Sequence, residues 1–120
     1  MVKWAGTSSE SKLGDFAWYD DNSGDKTHPV GLKKPNALGF YDMSGNVWEW
    51  TGDWYAETYY QKSARDNPRG PSEGTDRVLR GGCWLDRALD CRTTIRFNFN
   101  PANGFKSIGL RLVRQLGTTR

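Results

Sequence analysis

The stretch Asn36-Ala37-Leu38-Gly39-Phe40-Tyr41-Asp42-Met43-Ser44-Gly45-Asn46-Val47-Trp48-Glu49-Trp50 decides how the rest of this 120-residue chain is read. Val47-Trp48-Glu49-Trp50 alternates its side chains between two faces and is built from β-preferring residues, so it reads as a short strand. Downstream, Trp54-Tyr55 and Tyr59-Tyr60 continue an aromatic belt toward Asn67-Pro68-Arg69-Gly70-Pro71, which Pro and Gly fix as an irregular loop. Arg77-Val78-Leu79-Arg80-Gly81 is the next strand, and Gly81-Gly82 permits backbone conformations or close approaches that a Cβ would block. From Trp84 to Ser107 neither strand nor helix periodicity holds, apart from a short helix expected near Leu89 to Arg96. Gly109-Leu110-Arg111-Leu112-Val113 is read as the final strand. Upstream, Phe16-Ala17-Trp18-Tyr19 is an apolar anchor followed by a turn cluster from Asp20 to Asp25. Residues 1–15, rich in Ser, Gly and Glu, are expected to be exposed, flexible or only partly ordered.

Composition bounds the answer. The chain has room for one domain, its hydrophobic content is 36%, and it carries 14 Gly and 6 Trp. Burial must therefore come from a few large aromatics among many turns, with Trp48 and Trp84 as the surest core residues and Trp50 free to alternate outward. No apolar run is long enough to span a bilayer, and the first residues lack the apolar core of a signal peptide, so the chain reads as soluble with its localisation open. The net charge of +3 arises from 17 basic and 14 acidic residues that are mostly interspersed. Arg87, Arg92 and Arg96 with Phe97 and Phe99 form the one segment resembling a nucleic-acid stripe, but pairing of those arginines with Asp86, Asp90 and nearby backbone accounts for them better. The two cysteines, Cys83 and Cys91, are too few for a disulfide framework and are expected as free buried thiols. His28, the single histidine, is expected in a hydrogen-bonding role, and without a second His there is no histidine-based metal triad.

Three blocks in order, Asn36 to Trp50, Arg77-Val78-Leu79-Arg80-Gly81-Gly82-Cys83-Trp84 and Ile108-Gly109-Leu110-Arg111-Leu112-Val113, resemble the C-terminal half of the formylglycine-generating-enzyme (sulfatase-modifying factor) family. The resemblance runs from about Trp18 to Val113 and implies an α+β, C-type-lectin-like fold of short strands and few helices. It places a family-like domain at 16–114, after the 1–15 segment and before a 115–120 tail. Family members carry, ahead of the Asn-Ala-Leu-Gly block, a helix and N-terminal strands with no counterpart in this sequence. The strand around Leu110 to Val113 would then lack its usual neighbour. Either a second copy of the chain supplies it, giving a homodimer, or the stretch from Trp4 to Tyr19 folds back to substitute for it.

The resemblance also implies chemistry. A structural Ca²⁺ is expected from the Asp42 carboxylate, the Gly45 and Val47 carbonyls and the Glu49 carboxylate, a hard-oxygen donor set. The alternative is that Asp42 and Glu49 cap turns or pair with arginine. Active formylglycine generators bind copper(I) through two thiols five positions apart in a Gly-Gly-Ser-Tyr-Leu-Cys-His motif and the Cys that follows it. Laid over Gly81 to Cys91, the second thiol falls on Cys91, which would be catalytic, but the first falls on Asp86. A carboxylate is a poor donor for that soft ion, so copper and the oxidation of a sulfatase cysteine are disfavoured. The remaining reading is a non-catalytic domain that binds a protein or carbohydrate through Trp84, Leu85, Asp86, Arg87, Leu89, Asp90, Ile95, Phe97, Asn98, Phe99, Asn100, Phe105, Lys106 and Ser107. This layout resembles the variable proteins of diversity-generating retroelements, bacterial or phage, in which AAC codons are randomised at adenine. Such codons exclude Lys, Glu, Gln, Trp and Met, and among the residues that depart from the framework pattern only Lys106 breaks the rule. Ordinary drift in exposed loops gives the same look, and the two accounts stay open.

Overall fold

The computed structural model describes the chain apart from residues 62, 64, 67, 115 and 118–120. Asn67, at the head of the expected irregular loop, and most of the expected 115–120 tail therefore lie outside the described residues. Four strands form one antiparallel-dominated sheet: β1 (Trp48–Trp54), β2 (Arg77–Arg80), β3 (Arg96–Phe99) and β4 (Ile108–Gly109), in the spatial order β3-β2-β1-β4. Three short 3-10 helices, Glu10–Asp15, Tyr59–Gln61 and Ala88–Cys91, complete the regular structure of the described residues. Among these residues no helix is long and apolar enough to cross a membrane.

Register explains the burial. Leu79 pairs with Trp50 on one side and Phe97 on the other, so these three side chains project from the same face of the sheet. Under that face lie Trp48, Leu79, Cys83 and Trp84, with Trp50, Ile95, Phe99 and Ile108 packed around them. The two tryptophans expected in the core are buried, and Trp50 is half-buried. Between Trp50 and Trp54 the β1–β2 register shifts. There the Thr51 hydroxyl donates to the Val78 carbonyl (3.0 Å), so a side chain supplies a bond where the ladder is irregular. β4 runs parallel to β1, and a Cβ on Gly109 would stand 2.8 Å from Val47 Cγ2, which is why glycine occupies this close approach.

Several expectations need correction. The final strand stops at Gly109; Leu110 to Val113 have no ladder partner among the described residues, and Leu112 and Val113 are exposed. The helix expected from Leu89 to Arg96 is only a 3-10 turn, Ala88–Cys91, because the chain turns extended at Arg92 and then enters β3 as an edge strand. The opening stretch, expected to be exposed, buries Trp4 and Leu13 in a second cluster with Ala17, Tyr19, Ala88 and Cys91. Two apolar residues spaced among Ser and Gly were enough, since Trp4 also donates its indole N–H to the Ala88 carbonyl at 2.7 Å. This docking ties the N-terminus to the Ala88–Cys91 turn and the Thr93 backbone, not to the edge of β4, so the fold-back substitution for a missing strand is not what the segment does.

Candidate functional site

The turn from Asp42 to Val47 positions everything else. Gly45 has φ +79°, and a Cβ there would lie 2.3 Å from the Trp18 carbonyl oxygen, so no other residue fits. Asn46, also at positive φ, is buried and acts as a hub. Its side chain donates to the His28 carbonyl and accepts from the His28 N–H, both at 3.0 Å, while its backbone N–H reaches Trp18 O and its carbonyl takes the Trp84 N–H. Asn46 was not singled out from sequence, although Ser-Gly-Asn before a strand is the composition of a tight left-handed turn. His28 stacks on the Trp18 ring with centroids 3.7 Å apart and contacts the Ser23 carbonyl through Nε2, in keeping with its expected hydrogen-bonding role.

The four residues expected to hold calcium all line one hollow of about 350 Å³, together with Arg111, Tyr41 and Leu110. Asp42 Oδ2 accepts the Gly31 N–H at 2.8 Å, whereas buried Asp42 Oδ1 has no partner among the described residues. Glu49 forms a two-point ion pair with Arg111, 2.9 Å from Oε1 and 3.2 Å from Oε2, and the same guanidinium donates to the Tyr41 and Asp42 carbonyls. The pairing with arginine considered from sequence is thus present. Carboxylate oxygen is the donor type a hard cation takes, and Asp42 Oδ1 is such an oxygen, buried and unpartnered, although among the described residues no three His, Cys, Asp or Glu side chains gather to hold an ion. At Glu49 such an ion would share the carboxylate with Arg111.

The second site is the face around Trp84 to Ser107. A hollow of about 260 Å³ is lined by Trp48, Asp86, Asp90, Ile95, Arg96 and Phe97. It gathers Asp86, Asp90, Ile95 and Phe97 from the expected binding set and adds Trp48 and Arg96. Phe97 is 50% exposed and lies against Trp48, the ring centroids 5.6 Å apart. Leu85 and Phe105 are exposed and Asn100 lies on the surface, whereas Trp84 and Ser107 are buried. Ser107 serves the frame, its carbonyl receiving the Trp48 N–H at 2.8 Å. Phe99 packs into the core, Asn98 donates to Asp76 at 2.6 Å, and Lys106 lies 5.6 Å from the Trp84 ring centroid. Leu89 points elsewhere, lining a separate hollow with Met1, Val2 and Trp4. Arg87 pairs with Asp90 at 3.4 Å and Arg92 donates to the Leu89 carbonyl, so part of the arginine cluster is used locally.

Cys83 and Cys91 are free and buried. Burial pushes the Cys91 thiol up to about 12 and the Cys83 thiol up to about 11, with the nearby Asp86 carboxylate adding to both. Asp86 is also tied into this turn, its Oδ2 accepting the Cys83 N–H at 2.9 Å. Two protonated thiols and a turn-closing carboxylate are a poor donor set for copper(I).

Comparison with known proteins places this geometry. The model of the sulfatase-modifying factor enzyme 1-like domain matches residues 2–116, a longer span than Trp18 to Val113. The formylglycine-generating enzyme of Streptomyces coelicolor is 38% identical over 96 residues, covering 78% of this chain and 31% of the enzyme. The serine/threonine-protein kinase pkn1 of Chlamydia pneumoniae is 43% identical over 84 residues, 68% of this chain but 14% of the kinase. Among solved structures, Treponema denticola variable protein 1 superposes with a TM-score of 0.85 at 44% identity, covering 92% of this chain and 40% of that one. PvdO from Pseudomonas aeruginosa gives 0.70 at 28% identity, covering 80% and 38%. The chain thus spans less than half the length of these relatives. It belongs to the sulfatase-modifying factor enzyme 1-like domain family, on the short-stranded, loop-rich, C-type-lectin-like fold of its structural neighbours.

Proposed function

We propose that this domain is a non-catalytic binding module whose ligand, a protein or a glycan, is held on the face from Trp84 to Ser107. The observation that carries the reading is the half-exposed Phe97 beside the Trp48, Ile95 and Asp86 hollow, mounted on a sheet edge whose backbone is fixed by β2. A rigid aromatic over a small mixed hollow gives contact area at low entropy cost. Likeness to Treponema denticola variable protein 1 supports the reading, including diversification of this face. Randomising Leu85, Arg87, Phe97, Asn100 and Phe105 in a display library is expected to yield specific binders that still melt cooperatively. A library of equal size at five exposed positions outside this face, Asp53, Glu57, Thr58, Asp66 and Glu73, is expected to yield none; equal yields from both would reject the face.

The identity to formylglycine-generating enzymes favours a second reading, oxidation of a sulfatase cysteine with Cys91 as the reactive thiol. Copper(I) titration with a cysteine-containing sulfatase peptide separates the two, since turnover requires tight copper binding and the display reading predicts neither. We also read the hollow at Asp42, Gly45, Val47 and Glu49 as a structural Ca²⁺ site, supported by the partnerless Asp42 oxygen. At the edge of β4, the segment from Leu110 to Val113, exposed at Leu110, Leu112 and Val113, is where a second copy would add a strand, giving a homodimer that light scattering at micromolar concentration would detect.

A further inference from the structure

Resting on the reading of the Trp84 to Ser107 face as a binding surface, we propose that its hollow takes a cationic side chain of a protein partner, arginine in preference to lysine. Two aromatic walls and two carboxylates converge there: Trp48 and Phe97, with Asp86 and Asp90. The Phe97 ring lines the hollow and is 50% exposed, and exposed aromatic surface attracts a cation. Asp86 spends Oδ2 on the Cys83 N–H, and its side chain is only half-buried where it lines the hollow. Asp90 meets Arg87 at 3.4 Å, but the arginine side chain in that pair is 72% exposed, so an incoming cation competes with a weak, solvated contact.

Among the described residues one basic residue, Arg96, also lines the hollow. Arg96 precedes Phe97 in β3, so its side chain leaves the opposite face of the sheet, and its guanidinium carbon lies 5.3 Å from the Tyr55 ring centroid. A planar guanidinium suits the site better than an ammonium, because it can stack on an aromatic ring while donating two parallel bonds to one carboxylate.

The test uses three probes, the N-acetyl amides of arginine, citrulline and norleucine, titrated into ¹⁵N-labelled protein. The arginine probe is expected to shift the Trp48, Asp86 and Phe97 signals, binding at least about fivefold more tightly than citrulline, its neutral near-isostere. Asp86→Asn, which keeps an acceptor for the Cys83 N–H, and Phe97→Leu, at a half-exposed position, are each expected to abolish that preference, with the spectra reporting that both remain folded. Equal shifts by citrulline or norleucine at the same residues would overturn the cationic assignment while leaving the binding face standing. Shifts by none of the probes, or an arginine preference that survives both variants, would overturn the assignment of this hollow as well.

Discussion

The two clusters of buried side chains are closed in different ways. Trp4, Leu13, Ala17, Tyr19, Ala88 and Cys91 pack among loops and two 3-10 helices, with no strand contributing, and Leu13, Ala17 and Cys91 are wholly buried. Trp48, Leu79, Cys83 and Trp84 pack beneath the sheet, and that cluster stays open at its rim through Ile95 and Phe97. One short loop serves both: Cys83 and Trp84 enter the sheet cluster, while Ala88 and Cys91 enter the loop cluster. Between these anchors the loop is held by Asp86 N–H to Cys83 O, Asp20 N–H to Asp86 O and the Ser23 hydroxyl to Trp84 O. Leu85 and Leu89 consequently stay exposed on a backbone fixed at both ends. One thiol is thus buried in each cluster, Cys91 in the closed one and Cys83 in the one that stays open at its rim.

The comparison breaks first at its large side chains. Trp84→Ala and Trp48→Ala are expected to cost about 3–5 kcal/mol, and Leu13→Ala in the loop cluster about 2–5 kcal/mol, read from urea midpoints. If Leu13→Ala leaves the midpoint unchanged, the N-terminal stretch is an appendage and the loop cluster is not part of the cooperative unit. Gly82→Ala strikes the junction: with φ +73° and a new Cβ 2.6 Å from Cys91 Sγ and 2.9 Å from Cys91 Cα, it is expected to cost about 1–3 kcal/mol in backbone strain before any repacking. A wild-type midpoint for this variant would mean the two clusters move independently.

These effects also show what could be read from sequence. Trp48, Trp84, the strands β1 and β2 and the two buried thiols were legible because large aromatics and cysteines in a glycine-rich chain have few other places to go. β3 was not, because Arg96 to Phe99 sits at a sheet edge with alternating faces that are both partly buried, which hides the period of two. Trp4 and Leu13 were missed because isolated apolar residues in a polar stretch carry no period. Arg111 was missed at the Asp42 hollow because its partner Glu49 lies 62 positions away, and no local pattern reports such a pair.

The thiols, Cys91 in the loop cluster and Cys83 beneath the sheet, give burial a pH signature. Their folded values of about 11 and about 12 lie above the ordinary thiol value of 9.0, so the protein retains these protons where the unfolded chain has lost them. Stability is therefore undiminished below the unfolded value and falls as pH rises from about 9 toward 12, by up to about 1.4 kcal/mol per pH unit for each thiol. Burial also raises the Tyr19 phenol, which acts in the same direction. Urea melts at pH 8, 9 and 10 are expected to show this decline, with Cys91→Ala flattening it. An alkaline profile identical in that variant would show that Cys91 ionises in the folded protein.

The polar hollow at the entrance to β1 offers a smaller effect and a sharper separation of causes. Glu49→Gln is expected to lower the melting temperature through two losses, the ion pair with Arg111 and the calcium donor, together about 1–3 kcal/mol. Arg111→Gln removes only the first, so if Ca²⁺ occupies the site a chelator should lower the melting temperature of the wild type and of Arg111→Gln, but not that of Glu49→Gln. A chelator without effect on any of the three would leave Asp42 and Glu49 as members of a polar turn held by arginine alone.

The smallest stability change is expected where the sheet cluster is open. Phe97 is 50% exposed, whereas Phe99, two residues on and on the same face, packs against the core. Burial scales the cost of truncation, so Phe97→Ala should lose about 1 kcal/mol or less while Phe99→Ala should lose roughly twice that or more. The asymmetry matters because Phe97 sits where the hollow meets solvent, and a residue kept there for packing would not be left half in water when its neighbour is not. Paired urea melts of the two variants decide the point. If Phe97→Ala costs as much as Phe99→Ala, the rim is closed in solution, and both clusters are simply core.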